Sequence, residues 1–200
     1  MNSVHYFVLI TALLVSGCGK PKIESLSASS IVVAFGDSLT AGYGVTAEKS
    51  YPFILSGLLG CKVVNSGISG EVTSEGLERL EAVLEKHNPD LVILCFGGND
   101  MLQGKSLKDM ALNLEFMIKL MIARDCEILL IGVPRPTIAL AVPRVYEELA
   151  DTYDLPYDGT TLRSVLSTAS LTGDDLIHPN NKGYQRMAEA FLSLIRESEE

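Results

Sequence analysis

Short, unbroken apolar runs alternate along this chain with longer stretches in which apolar residues return every three or four positions. The runs at 31–35, 61–65, 90–95 and 127–132, with a weaker one at 155–158, read as strands. The middle runs have no polar alternation, as expected for strands covered on both faces. Between them, a helix is predicted over 74–87, with Leu77, Leu80 and Leu84 on one face. A second begins at Ser106, an N-cap with Asp109 three residues on, and carries Leu107, Met110, Ala111, Leu114, Met117, Ile118 and Met121 at helical spacing. A last helix follows Pro179, with Tyr184, Met187, Ala188, Phe191, Leu192 and Ile195 on its apolar face. Strands alternating with amphipathic helices predict an α/β domain with a parallel sheet between two helical layers.

The first residues follow another pattern. Positions 4–15 are almost continuously apolar, too short to span a bilayer comfortably but suited to the core of a signal peptide. The run ends in Leu14-Val15-Ser16-Gly17-Cys18, which resembles the lipobox of bacterial lipoproteins. That resemblance implies a signal peptide over 1–17, a diacylated Cys18 as first mature residue, and a location in the bacterial cell envelope. Gly19 in place of an aspartate leans toward the outer membrane. The segment ahead of the run has no Lys or Arg, so an ordinary secretory signal or an uncleaved anchor stays open. Residues 19–30 are polar and serine-rich and read as a tether, which leaves 31–200 as a single domain.

Composition narrows the function. The chain has 200 residues, 47% of them hydrophobic, and a net charge of −9, which excludes a non-specific nucleic-acid binder because such proteins need a basic face. Beyond Cys18 there are three cysteines, Cys61, Cys95 and Cys126, each in or beside a predicted strand. They read as buried free thiols. No Cys or His spacing matches a zinc site, and neither a metal nor a cofactor is expected.

The candidate chemistry lies where the strands end. After the first comes Gly36-Asp37-Ser38-Leu39; after the second, Asn65-Ser66-Gly67-Ile68-Ser69-Gly70; after the third, Gly97-Gly98-Asn99-Asp100; after the fourth, Pro134-Arg135-Pro136. Beyond the fifth comes Asp175-Leu176-Ile177-His178-Pro179. In a parallel sheet these positions share one edge, where ligands bind. A serine nucleophile needs a base, and past the signal segment the chain has two histidines. His87 falls at a helix end on the opposite edge; His178 falls on the right one, with Asp175 three residues before it.

Gly-Asp-Ser-Leu, a glycine after the second strand, Gly-x-Asn-Asp and Asp-x-x-His, in that order, resemble the four-block signature of the SGNH, or GDSL, hydrolases. The blocks around Asn65–Thr73 and Ile177–Asn180 are most similar to the bacterial thioesterase-I, lysophospholipase and arylesterase-like branch. The resemblance implies a three-layer α/β/α flavodoxin-like fold with strand order 2-1-3-4-5. It implies hydrolysis of esters or thioesters through an acyl-enzyme on Ser38, with His178 as base and Asp175 orienting it. The oxyanion hole would comprise the N–H groups of Ser38 and Gly67 and the Asn99 amide. Asp37 reads as a turn residue, and Asp174 competes with Asp175 less well on spacing.

The substrate is less legible. The apolar segment 137–142, with Ile138, Leu140 and Val142, either receives an acyl chain or packs as core beneath the crevice. Acyl esters such as lysophospholipids or aryl esters are the expected substrates. A carbohydrate O-acetylesterase, and a tethered non-catalytic binding lipoprotein, are the alternatives.

Overall fold

A computed structural model describes residues 21–199. The segments expected as signal peptide (1–17) and lipidated Cys18 lie outside the described residues.

Five parallel strands form one sheet: β1 (Ile31–Gly36), β2 (Lys62–Gly67), β3 (Leu91–Cys95), β4 (Glu127–Ile131) and β5 (Tyr157–Asp158). Their order is β2-β1-β3-β4-β5. β1, β3 and β4 are almost wholly buried, which explains their unbroken apolar sequence. Helices α2 (Tyr51–Leu59), α7 (Thr161–Leu166) and α8 (Asn181–Ser198) pack together on one face. Helices α3 (Thr73–His87), α5 (Leu107–Ile122) and α6 (Val145–Tyr153) cover the other. Two short helices, α1 (Ser38–Ala41) and α4 (Gly98–Leu102), start at the carboxyl ends of β1 and β3.

Local signals act as their chemistry requires. Ser106 caps α5 by accepting from the Asp109 N–H, and the α5 residues Met110, Leu114, Met117, Ile118 and Met121 are buried. Asn180 caps α8 by accepting from the Lys182 and Gly183 N–H groups. Cys61, Cys95 and Cys126 are free and buried.

Two boundaries differ from the sequence reading by two residues. β2 runs to Gly67 instead of 65, and β5 starts at Tyr157 instead of 155, since it pairs with β4 only through Tyr157 and Asp158. It ends where the Asp158 carboxylate accepts from the Thr160 and Thr161 N–H groups. The expected tether is also shorter than 19–30. Ile23 is buried and its N–H donates to the Ser198 carbonyl, while the Leu26 N–H donates to Glu199 Oε1. Two apolar side chains after Pro21, Ile23 and Leu26, pack this otherwise polar stretch against the core.

The register sets up the site. Gly36 of β1 pairs with both Gly67 of β2 and Cys95 of β3. The chain therefore leaves three adjacent strands at one level, and the residues that follow emerge side by side.

Candidate active site

Asp37 ends β1 and begins α1. Its Oδ1 accepts from the Leu39 N–H at 3.0 Å, making it the N-cap. Ser38 is thereby the first helical residue, where backbone N–H groups have no intrahelical partner. Asp37 is 1% exposed. Burial pushes its carboxyl up to about 7 against the pull of the Leu39 N–H, and the charges of Asp100 and Glu71 push the same way.

His178 arrives from the loop between α7 and α8. Its Nε2 lies 2.8 Å from Ser38 Oγ, and its Nδ1 lies 2.6 Å from Asp175 Oδ2. The other Asp175 oxygen accepts from the Ile177 and His178 N–H groups, so the carboxylate is held by the backbone it orients. Burial opposes ionisation of Asp175, but the His178 ring and these two N–H groups together hold its carboxyl below the ordinary range. Asn180 fastens the loop by donating to the Ser170 and Thr172 carbonyls. The Tyr43 ring covers the imidazole at a centroid distance of 4.5 Å. His87 ends α3 at the amino edge of the sheet, beside Lys62.

Asn99 lies in the first turn of α4. Its Nδ2 donates to the Glu71 carbonyl at 3.0 Å, which fixes the amide plane and leaves a second N–H hydrogen. Next to it, Asp100 accepts from both the N–H and the hydroxyl of Thr73, tying α4 to the start of α3.

Gly67 does not supply the donor expected of it. Its N–H is taken by Asn65 Oδ1 at 3.0 Å, and a Cβ there would stand 2.2 Å from the Ala41 nitrogen. Glycine is needed at 67 because α1 passes against the end of β2. Three residues on, Gly70 turns the chain with φ +86, and the space a Cβ would fill is open. Among the described residues its N–H has no acceptor, and it directly precedes the Glu71 carbonyl that holds Asn99. The clue in the sequence was a second glycine where the loop, not the strand, must turn.

A cavity of about 650 Å³ opens beside Ser38, Asn99 and His178. Its walls include Leu102, Val133, Ile138, Leu140, Leu176 and Ile177. Of the three segment residues named from sequence, Ile138 and Leu140 line it. Val142 instead lines a separate groove with Tyr157 and Arg163, because the chain reverses after Leu140, where the Arg135 N–H donates to the Ala141 carbonyl. Among the described residues, no three His, Cys, Asp or Glu side chains gather as a metal site would need.

The arrangement can move a proton from Ser38 to His178 and place hydrogen-bond donors beside the resulting nucleophile. Residues 34–186 match the GDSL-like lipase/acylhydrolase family. The chain is 32% identical over 174 residues to thioesterase 1/protease 1/lysophospholipase L1 of Escherichia coli strain K12, covering 84% of this chain and 81% of that one. It is 31% identical over 172 residues to an arylesterase of Vibrio mimicus, covering 81% and 86%. The solved structure of AlinE4, an SGNH-hydrolase family esterase, superposes with a TM-score of 0.68 at 31% identity, covering 87% of this chain and 98% of that one.

Proposed function

The chain belongs to the GDSL-like lipase/acylhydrolase family, and from that premise we propose that it hydrolyses carboxylic esters or thioesters with an apolar acyl chain, through an acyl-enzyme on Ser38. The observation that carries this reading is the unbroken line Asp175–His178–Ser38, with links of 2.6 and 2.8 Å, at the mouth of an apolar cavity.

His178 Nε2 takes the hydroxyl proton as Ser38 Oγ attacks the acyl carbonyl carbon. Asp175 accepts from Nδ1–H and steadies the imidazolium. The carbonyl oxygen becomes an anion facing the N–H groups of Ser38 and Gly70 and the second amide hydrogen of Asn99. As the tetrahedral species collapses, His178 returns the proton to the departing alcohol or thiol. Water, deprotonated by the same nitrogen, then attacks the acyl-serine, and the acid and free Ser38 are regenerated. Lysophospholipids and aryl esters suit a cavity of this size, which lies within the usual range for small-molecule sites.

Turnover of p-nitrophenyl esters from acetyl to decanoyl, in wild type and Ser38→Ala, tests this. We expect kcat/KM to rise with chain length and to vanish in the variant. A wild type that prefers acetyl supports a carbohydrate O-acetylesterase instead. Near-normal turnover by Ser38→Ala contradicts the acyl-enzyme, and inertness of the wild type toward every ester supports the binding-lipoprotein alternative.

We also propose that Cys18 carries lipid. Ile23 is fixed against Ser198, and the Glu24 N–H donates to Glu127 Oε1 at the start of β4. Five residue steps from Cys18 to Ile23 span at most ~18 Å. A lipid on Cys18 would thus hold the domain by the sheet edge opposite the cavity. Cys18→Ser should release the protein from membranes; a mature N-terminus elsewhere, without lipid mass on Cys18, contradicts the proposal.

A further inference from the structure

Arg79 extends from α3 toward the ends of β1 and β2, where one guanidinium joins three chain segments. Its Nε and Nη2 grip the Glu71 carboxylate at 2.6 and 2.5 Å. Nη2 also donates to the Gly36 carbonyl at 3.3 Å and to the Ser66 carbonyl at 3.0 Å, and Nη1 donates to Ser66 Oγ at 2.9 Å. The guanidinium lies over the Phe35 ring, 4.2 Å from its centroid. The Glu71 side chain is 7% exposed and that of Arg79 20%, so solvent screens the pair little.

A pair so placed is poor material for stability. Desolvating two charges costs about what their attraction returns, and apolar residues of similar size often do as well. What the pair does supply is geometry. The planar fork of arginine offers five donors in fixed directions, and here they reach acceptors on the last residue of β1, the end of β2 and the loop after it.

Those segments carry the machinery proposed above. Gly36 stands two residues before Ser38. Glu71 follows Gly70, and its own carbonyl accepts from Asn99 Nδ2. The loop between β2 and α3 is pinned at its far end by Asp100 on Thr73, and at its near end by the Ile68 N–H donating to the Gly36 carbonyl. Arg79 and Glu71 clamp the middle. Without them the Gly70 N–H and the Asn99 amide would keep their chain neighbours but not their common aim.

Resting on the acyl-enzyme reading, we propose that Arg79 and Glu71 are positioning residues that hold two donors of the oxyanion site, the Gly70 N–H and the Asn99 amide, in register with Ser38.

Lysine keeps the charge of Arg79 but not the fork. Arg79→Lys should therefore lower kcat by about 10–100-fold, the scale of a small misplacement at a reacting centre. KM should stay within about threefold, since the donors act mainly in the transition state. Arg79→Met/Glu71→Met removes both charges together and should fold yet show the same kcat defect, which separates positioning from an uncompensated buried charge.

The discriminating measurement is a double-mutant cycle on kcat with p-nitrophenyl butyrate. Asn99→Ala should cost about tenfold less in the Arg79→Lys background than in the wild-type background, because the lysine variant has already misaimed the amide. A folded Arg79→Lys enzyme with wild-type kcat overturns the proposal. So do fully additive losses, or a defect confined to KM or to the thermal midpoint. If the wild type is active and labelled at Ser38 by a fluorophosphonate while these variants match it, positioning alone fails. A wild type inert to both reagents defeats the esterase reading and this proposal together.

Discussion

His178 Nε2 and Ser38 Oγ meet at 2.8 Å across 140 positions of sequence. The fold closes that distance with two devices: the Asp37 cap that starts α1 at Ser38, and the loop 171–180 fastened by Asn180. Neither residue is held by the other. The placement of both residues therefore survives loss of the hydroxyl, and Ser38→Ala should lose turnover without losing the fold.

His178 is the base within reach of Ser38. His178→Ala should abolish turnover. His87→Ala, at the other end of the sheet, should change it less than about twofold, as for a surface substitution remote from the chemistry. A more damaging His87→Ala would contradict the placement of the site.

Asn99 is aimed by the Glu71 carbonyl rather than by substrate. Its second hydrogen is thus already in place when negative charge develops. Asn99→Ala should lower kcat by about 10²–10³, with a smaller change in KM. Steady-state kinetics in both proteins decide this, and a defect in KM alone would make Asn99 a ground-state contact.

Asp37 links the site to stability. Its carboxyl, raised to about 7 by burial, binds its proton more tightly folded than unfolded, where the ordinary value is 3.8. Between those values the native state holds more protons, so this group's contribution is full below the unfolded value and is lost as pH rises through the folded one. Asp37→Asn retains an acceptor for the Leu39 N–H without the charge. Its stability relative to wild type should therefore improve from pH 4 to pH 8 in urea unfolding; a constant or opposite trend would contradict the assignment.

The loop 137–142 offers a paired test of chain-length preference. Leu140 lines the cavity with φ +44, a conformation aspartate tolerates better than most residues. Leu140→Asp should lower the octanoyl-to-acetyl ratio of kcat/KM, because a carboxylate beside buried hydrocarbon is costly. Val142→Ala, on the neighbouring groove, should leave that ratio unchanged. Equal effects of the two would mean that the cavity wall does not sort acyl chains.

β1, β3 and β4 were legible because burial on both faces leaves no room for polar alternation, and the helices because their apolar positions recur on one face. Ser38, Asn99, Asp175 and His178 could be placed on one edge by chain direction alone. Three features resisted. The resemblance implied the glycine that follows the second strand, Gly67; the strand runs through Gly67, and its last N–H is consumed by the Asn65 side chain. Val142 was grouped with Leu140 because an apolar run in a loop does not say on which side of a reversal each residue falls. Arg79 has nothing in the sequence to set it apart from other charges on α3. Its contacts come from the ends of β1 and β2 and from the loop to α3, and no periodicity within one helix reports them.

The central claim is that Ser38 forms a covalent bond with the acyl group it cleaves. Intact-protein and peptide mass spectrometry after treatment with a fluorophosphonate reads this directly. We predict one adduct per chain, located on Ser38, absent in Ser38→Ala and His178→Ala, and formed in step with the loss of p-nitrophenyl ester turnover. Turnover that persists in protein fully labelled at Ser38, or an adduct on another residue that accounts for the lost activity, would contradict the account.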